Sequence, residues 1–154
     1  MLFLHQSAQY KVPVPADNAL QLLSAETFET PTPTGWRNHD KLMEGLIFPK
    51  KRNFKIWRAV EGYNGFTPFM FGQLKSLGSG TLVILTFKIG LLPRLFLLTC
   101  LSISLIGLLI GVLTNNIGFA FALSFGIPYL LGLTAFDRES DKSKKVLMKI
   151  LKTK

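Results

Sequence analysis

A chain of 154 residues builds one modest core, and this one carries a formal net charge of +9. The charge is unevenly placed: residues 1–94 hold 11 Lys/Arg and 6 Asp/Glu, residues 137–154 hold 7 and 3, and the 42 residues from Leu95 to Phe136 hold none. So long an uncharged run argues for a bilayer, with a buried helical hairpin in a soluble protein as the alternative, and a single cysteine, Cys100, excludes an intrachain disulfide or a cysteine metal cluster.

The opening "MLFLHQSAQYK" lacks the basic start and the apolar length of a cleavable signal. Leu4, Ala8, Tyr10, Val12 and Val14 alternate with His5, Ser7, Gln9 and Lys11, which predicts a half-buried strand with Gln6 as the exception on its apolar face. Pro15 near a helix start, with Leu20 and Leu23 at helical spacing, predicts one helix. "FETPTPTGWRNHDK" reads as a loop.

From Leu42 the period returns to two. "LMEGLIFPK" is a short strand ended by Pro49, and "KRNFKIWRAV" puts Phe54, Ile56 and Arg58 on one face and Lys55 and Trp57 on the other. "FMFGQLKSL" and "TLVILTFKI" follow, joined by "GSG", with Thr81, Val83, Leu85, Phe87 and Ile89 sharing a face. Between them "GYNGFTPF" reads in two ways. Gly62, Asn64 and Gly65 fit a turn with positive φ, whereas Tyr63, Asn64, Phe66 and Pro68 form a candidate interaction loop.

The uncharged run fits two membrane spans of about 20 residues each, residues 95–113 and 117–136, linked by Thr114–Asn116. Both are apolar on every face, unlike a core helix. In the first, Cys100, Ser104, Gly107 and Gly111 form a small-residue stripe; in the second, Gly118, Ala122 and Gly126 do the same. Such stripes let helices approach closely in lipid, so Gly111 is expected near Gly118 and Gly107 near Ala122. Pro128 should bend the second span. Lys88, Arg94 and the basic tail flank the hairpin while its turn has no cation, which puts both termini in the cytoplasm.

In the tail, Lys142, Lys145, Lys149 and Lys152 share one helical face, opposite Ser143, Leu147, Ile150 and Leu151. A basic amphipathic helix after a span seeks anionic lipid head groups; its apolar face can instead dock on the sheet. The fold class expected is α+β: an antiparallel sheet of about five strands with one helix (residues 1–90), a transmembrane hairpin (91–136) and a short amphipathic helix (137–154).

Catalytic signatures do not emerge. His5 and His39 are the only histidines, no metal, nucleophile-elbow or P-loop motif occurs, and the carboxylates Asp17, Glu26, Glu29, Asp40, Glu44 and Glu61 read as surface groups. No cofactor is expected, and positive-inside charge accounts for the basic excess without nucleic acid.

Phe54, Ile56, Arg58, Asn64, Phe66, Pro68, Gly72, Gly80, Thr81, Phe136 and Glu139 carry a resemblance over residues 44–151. The pattern is similar to that of a family of small, uncharacterised bacterial membrane proteins. It departs at Gly65, where Ser is usual, and at Leu74, where Ile is usual. The resemblance implies a β-rich domain, a helical hairpin and a basic final helix, with no activity attached. The expected function is a non-catalytic, membrane-anchored interaction or scaffold module of the inner membrane, its partner being the lipid bilayer and an unidentified protein. The alternative is a lipid or small apolar ligand binder with a START-like or barrel-like cup lined by Phe48, Phe54, Phe69, Phe71 and Phe87. A membrane enzyme with unseen residues is the third class.

Overall fold

A computed structural model of the chain describes residues 5–33, 40–60, 64–114 and 117–152. Trp36, His39, Glu61, Gly62, Tyr63 and the Asn115–Asn116 link lie outside these ranges. The fold is α+β, with a six-stranded mixed sheet and three helices. In chain order these are β1 (His5–Val12), α1 (Ala16–Glu26), β2 (Thr27–Glu29), β3 (Met43–Phe48), β4 (Asn53–Arg58), β5 (Phe69–Leu77), β6 (Gly80–Lys88), α2 (Leu91–Thr114) and α3 (Ile117–Lys152).

The sheet order is β1-β6-β5-β4-β3-β2. Every neighbouring pair is antiparallel except β2–β3, which is parallel. The strand added to the five expected is β2. It is three residues long and joins Thr27, at the end of the stretch read as a helix, to Phe28 and Glu29 of the stretch read as a loop; its ladder is extended by the Thr30 N–H donating to the Gly45 carbonyl at 3.1 Å. The β5–β6 hairpin turns on Gly78 and Ser79, with Gly78 at φ +53, where a side chain would be strained.

The sheet buries one face. Val12, Met43, Phe54, Ile56, Met70, Leu74, Val83, Leu85 and Phe87 are at most 2 % exposed there. Phe54 lies across Gly72 on the next strand, filling the space a Cβ would take. Ala19, Leu20 and Leu23 of α1 and Phe136, Leu147, Ile150 and Leu151 of α3 close the core from above. Each fully buried apolar side chain of this size contributes about 1.5–3 kcal/mol.

Helix α3 runs 36 residues without a break, straight through Phe136. Nothing from Tyr129 onward interrupts it, because Leu, Ala, Arg, Glu and Lys are sound helix formers. The tail is thus not a separate short helix. Helices α2 and α3 are each long and apolar enough to cross a membrane. Their outward faces expose large apolar side chains, among them Leu109 at 64 %, Val112 at 70 % and Leu113 at 76 %.

Candidate functional site at the junction of sheet and hairpin

The two long helices meet on their small residues. A Cβ on Gly107 would stand 2.9 Å from the Ala122 nitrogen, one on Gly111 would stand 2.9 Å from the Phe119 nitrogen, and one on Gly118 would land inside the Gly111 backbone. Ser104 Oγ donates to the Ala122 carbonyl at 2.9 Å, and Gly126 faces Ser104. The crossing leaves room for hydrogen at these positions and little else.

The turn before β5 locks onto this hairpin. Asn64 Oδ1 accepts the Phe66 N–H at 3.1 Å, and the Asn64 carbonyl accepts the Thr67 N–H at 3.0 Å. That side-chain bond to the backbone two residues on is the local signature of an Asx turn. It directs the Phe66 ring toward α3, where a Cβ on Gly132 would be 3.3 Å from Phe66 Cε1 and would overlap Leu97 of α2. Phe66 is partly buried against the core, and Leu97 is fully buried. One aromatic ring therefore bridges the loop and both long helices. Pro68 leads directly into β5; Tyr63, the fourth candidate loop residue, lies outside the described ranges.

A charged cluster makes the second tie. Arg58 ends β4 on the core face, and its Nη2 is 2.5 Å from Glu139 Oε2 on α3. Lys142 Nζ is 2.7 Å from the other carboxylate oxygen. Burial pushes the Glu139 pKa up, but the hydrogen bonds from Lys142 and Arg58, together with their charges, outweigh it and hold the carboxyl below its ordinary value. Gln6, the polar exception on the inner face of β1, donates to Asp137 Oδ1 at 2.6 Å. Polar residues on the inner face near this junction thus meet polar residues of α3.

On the opposite face of the sheet lies a cavity of about 250 Å³. Trp57 and Glu44 are cross-strand partners, both 3 % exposed, and Trp57 Nε1 donates to Glu44 Oε2 at 2.9 Å. Glu44 is therefore not the surface carboxylate that its sequence position implies: Pro33, Val60, Asn64 and Thr67 line this end of the outer face with it. Phe69 meets Trp57 edge-on, with centroids 5.3 Å apart and an interplanar angle of 81°. Val60 and Thr67 add to the wall, and Gly90–Pro93 at the start of α2 closes it.

The five phenylalanines expected to line a cup divide: Phe69 borders the cavity beside Trp57, and Phe48, Phe54 and Phe71 border a second, more open hollow. Phe54 and Phe87 are in the core, whereas Phe48 and Phe71 are exposed at 46 % and 37 % on the outer face. Lys55 and Lys88 stand over that face, Lys88 Nζ 5.1 Å from the Phe71 ring and Lys55 Nζ 5.1 Å from the Phe69 ring. In the tail, Lys142, Lys145, Lys149 and Lys152 point outward, and Ser143, Leu147, Ile150 and Leu151 are buried. The apolar face of the tail is thus occupied by the core. Lys144 reaches sideways, its Nζ 5.0 Å from the Tyr10 ring. Among the described residues no three His, Cys, Asp or Glu side chains group closely enough to hold a metal ion. No family model, curated protein or solved structure significantly matches the chain.

Proposed function

We propose that this chain is a membrane-anchored interaction module of a bacterial inner membrane, with both termini cytoplasmic and no catalytic role, of the family of small membrane proteins that its sequence resembles. The observation that carries the reading is the unbroken helix α3. Its 36 residues measure about 54 Å, of which about 30 Å fills a bilayer. The remaining turns are built into the core of the domain. Phe66 and the Arg58–Glu139–Lys142 cluster brace the same joint. The sheet is held in one orientation to the membrane, and its outer face of lysines and phenylalanines stays open to a partner.

Helical rise also assigns roles to the cations. Counted along the axis from Phe136, Lys142 stands about 9 Å away and Lys152 about 24 Å. The screening length in the cell is about 8 Å. Arg138 and Lys142 are therefore the tail cations that anionic head groups reach, while Lys145, Lys149 and Lys152 face the cytoplasm.

Reporter fusions test the anchor: Met1 and Lys154 should both read cytoplasmic and Asn115 external. A photo-crosslinking residue at Phe71 tests the module. It should yield one discrete protein adduct in native membranes, lost with Lys55→Glu plus Lys88→Glu. Termini on opposite sides, or no adduct from Phe71, refutes the respective half of the reading. A second reading, binding of a small apolar ligand, is favoured by the cavity beside Trp57 alone.

A further inference from the structure

The outer face of the sheet gathers lysines that the fold does not neutralise. Lys11 of β1, Lys55 of β4, Lys75 of β5 and Lys88 of β6 alternate with buried core residues and so point away from the core. Lys51, in the turn between β3 and β4, borders the same hollow as Lys55. None of these five forms an ion pair with a described carboxylate, whereas Arg52, Arg58 and Lys142 each do. Among the described residues, the strand positions of this face hold one carboxylate, Glu44, which is buried and accepts the Trp57 N–H. A partner on this face therefore meets positive charge alone.

Register sets the spacing. Lys75 and Lys11 flank Leu82 in one row across β5, β6 and β1. Lys88 pairs with Phe69 on β5, so it stands about 20 Å from Lys75 at the rise of a strand. Between these rows lies the hollow bordered by Phe48, Phe71 and Ile84, of which Phe48 and Phe71 are exposed. Each feature sets one class of occupant aside. A second copy of this chain brings a net charge of +9 and the same lysines, so like charges oppose it. Nucleic acid stacks its bases on open aromatic rings, but Lys88 Nζ already stands 5.1 Å over the Phe71 ring and Lys55 Nζ 5.1 Å over that of Phe69. A head-group layer meets Lys88 close to the start of α2, while Lys75 lies more than two screening lengths of about 8 Å further along the sheet. A polypeptide can follow the whole face and bring both carboxylates and apolar side chains.

We infer that the outer face docks an acidic segment of another protein, its carboxylates set against Lys51, Lys55, Lys75 and Lys88 and its apolar side chains against Phe48 and Phe71. The inference rests on the interaction reading and adds the chemistry of the partner. Opposite charge also steers the encounter, so the complex forms fastest at low salt.

The test uses the full-length protein in nanodiscs of uncharged lipid and fluorescence anisotropy of three labelled peptides. One intersperses glutamates with leucines, the second has glutamine for each glutamate, and the third has serine for each leucine. Saturable binding of the first is expected, with the other two at least about tenfold weaker. Raising the salt from about 0.05 M to about 0.5 M should weaken the first about tenfold, as screening requires. Lys75→Glu plus Lys88→Glu should abolish saturable binding. Lys145→Glu plus Lys152→Glu makes the same change of charge on the tail and should leave binding within about twofold. Phe48→Ser plus Phe71→Ser should bring the first peptide down to the level of the third. Equal binding of the first two peptides, equal effects of the two charge reversals, or no saturable binding overturns the acidic partner. So does tighter binding of oligothymidylate, which points to nucleic acid, or saturation by phosphatidylglycerol vesicles alone, which points to the lipid surface. The photo-adduct at Phe71 separates this inference from the reading beneath it: a mapped protein segment without net negative charge overturns the acidic partner and leaves the interaction module standing, whereas the absence of any adduct overturns both.

Discussion

Replacing Glu139 by Gln removes the negative charge that two cations share, in a side chain that is only 9 % exposed. Arg58 on β4 then keeps its position against α3 with one charge-assisted bond fewer, and its Nε is already buried without a partner. Breaking a fully buried ion pair costs about 3–5 kcal/mol. Here the Arg58 side chain is 23 % exposed and that of Lys142 is 60 % exposed, so water recovers part of the loss. The expected destabilisation is about 2–3 kcal/mol at pH 7, within the range of hydrogen bonds to charged groups. For a unit of this size that lowers the melting temperature by on the order of 10 °C. The pH dependence follows from the depressed pKa of Glu139. A carboxyl whose folded pKa lies below its ordinary 4.5 contributes its full stabilisation above that value and loses it as the pH falls through the folded pKa. Melting of wild type and Glu139→Gln in detergent, followed by tryptophan emission, should therefore differ at pH 7 and converge as the pH falls below about 4.5. A gap that stays constant from pH 7 to pH 3 refutes the electrostatic account. Arg58→Met with Glu139→Leu should recover most of the loss, since the pair is then replaced by apolar volume.

Gly118→Leu places a side chain in the backbone of Gly111 and should open the hairpin; disulfide formation between cysteines at Ser104 and Gly126, whose Cβ positions lie 4.0 Å apart and so suit a bridge, should fall sharply. Phe66→Ala should lower stability by about 2 kcal/mol, less than the 3–5 kcal/mol of a fully buried ring because Phe66 is only partly buried; an unchanged melting temperature refutes its bracing role. Asn64→Ala should cost about 1 kcal/mol through the lost bond to the Phe66 N–H, and the two losses should not add in a double variant, because one residue positions the other.

Period-two alternation located five of the strands because each buries one face, and a strand with one buried face declares its register residue by residue. The tail helix was legible for the same reason at a period of 3.6: Ser143, Leu147, Ile150 and Leu151 face the core while four lysines face outward. The three-residue strand β2 was not legible. Its pairing with β3 is parallel and tertiary, and "TFE" is too short to show a period. The continuity of α3 was missed for a different reason. Hydropathy changes abruptly after Phe136, and that change was read as a boundary between elements. Hydropathy reports the medium around a helix, whereas continuity depends on backbone geometry, and no residue after Phe136 breaks it.

The candidate site shows where a strand pattern stops being informative. Alternation puts Trp57 on the face opposite Phe54 and Ile56, and charge alone puts Glu44 on the surface; the step from outer face or charge to solvent is what failed. An outer face is exposed only where nothing covers it, and at this end of the sheet Pro33, Val60, Thr67 and the base of α2 stand beside it. The same limit applied to Glu139. On a helix it occupies a position that charge alone marks as exposed, yet it is buried because Arg58 ends β4 on the inner face and needs a partner there. The cue was present as an arginine in phase with Phe54 and Ile56, a cation on an apolar face. A charge in phase with a core stripe calls for an opposite charge on whatever packs against that stripe. Of the carboxylates on α3, Asp137 meets Gln6 and Asp141 is exposed, which leaves Glu139 to answer Arg58. That pairing joins the sheet to the helix that continues through the apolar hairpin. A tilt of α3 therefore moves the sheet with it.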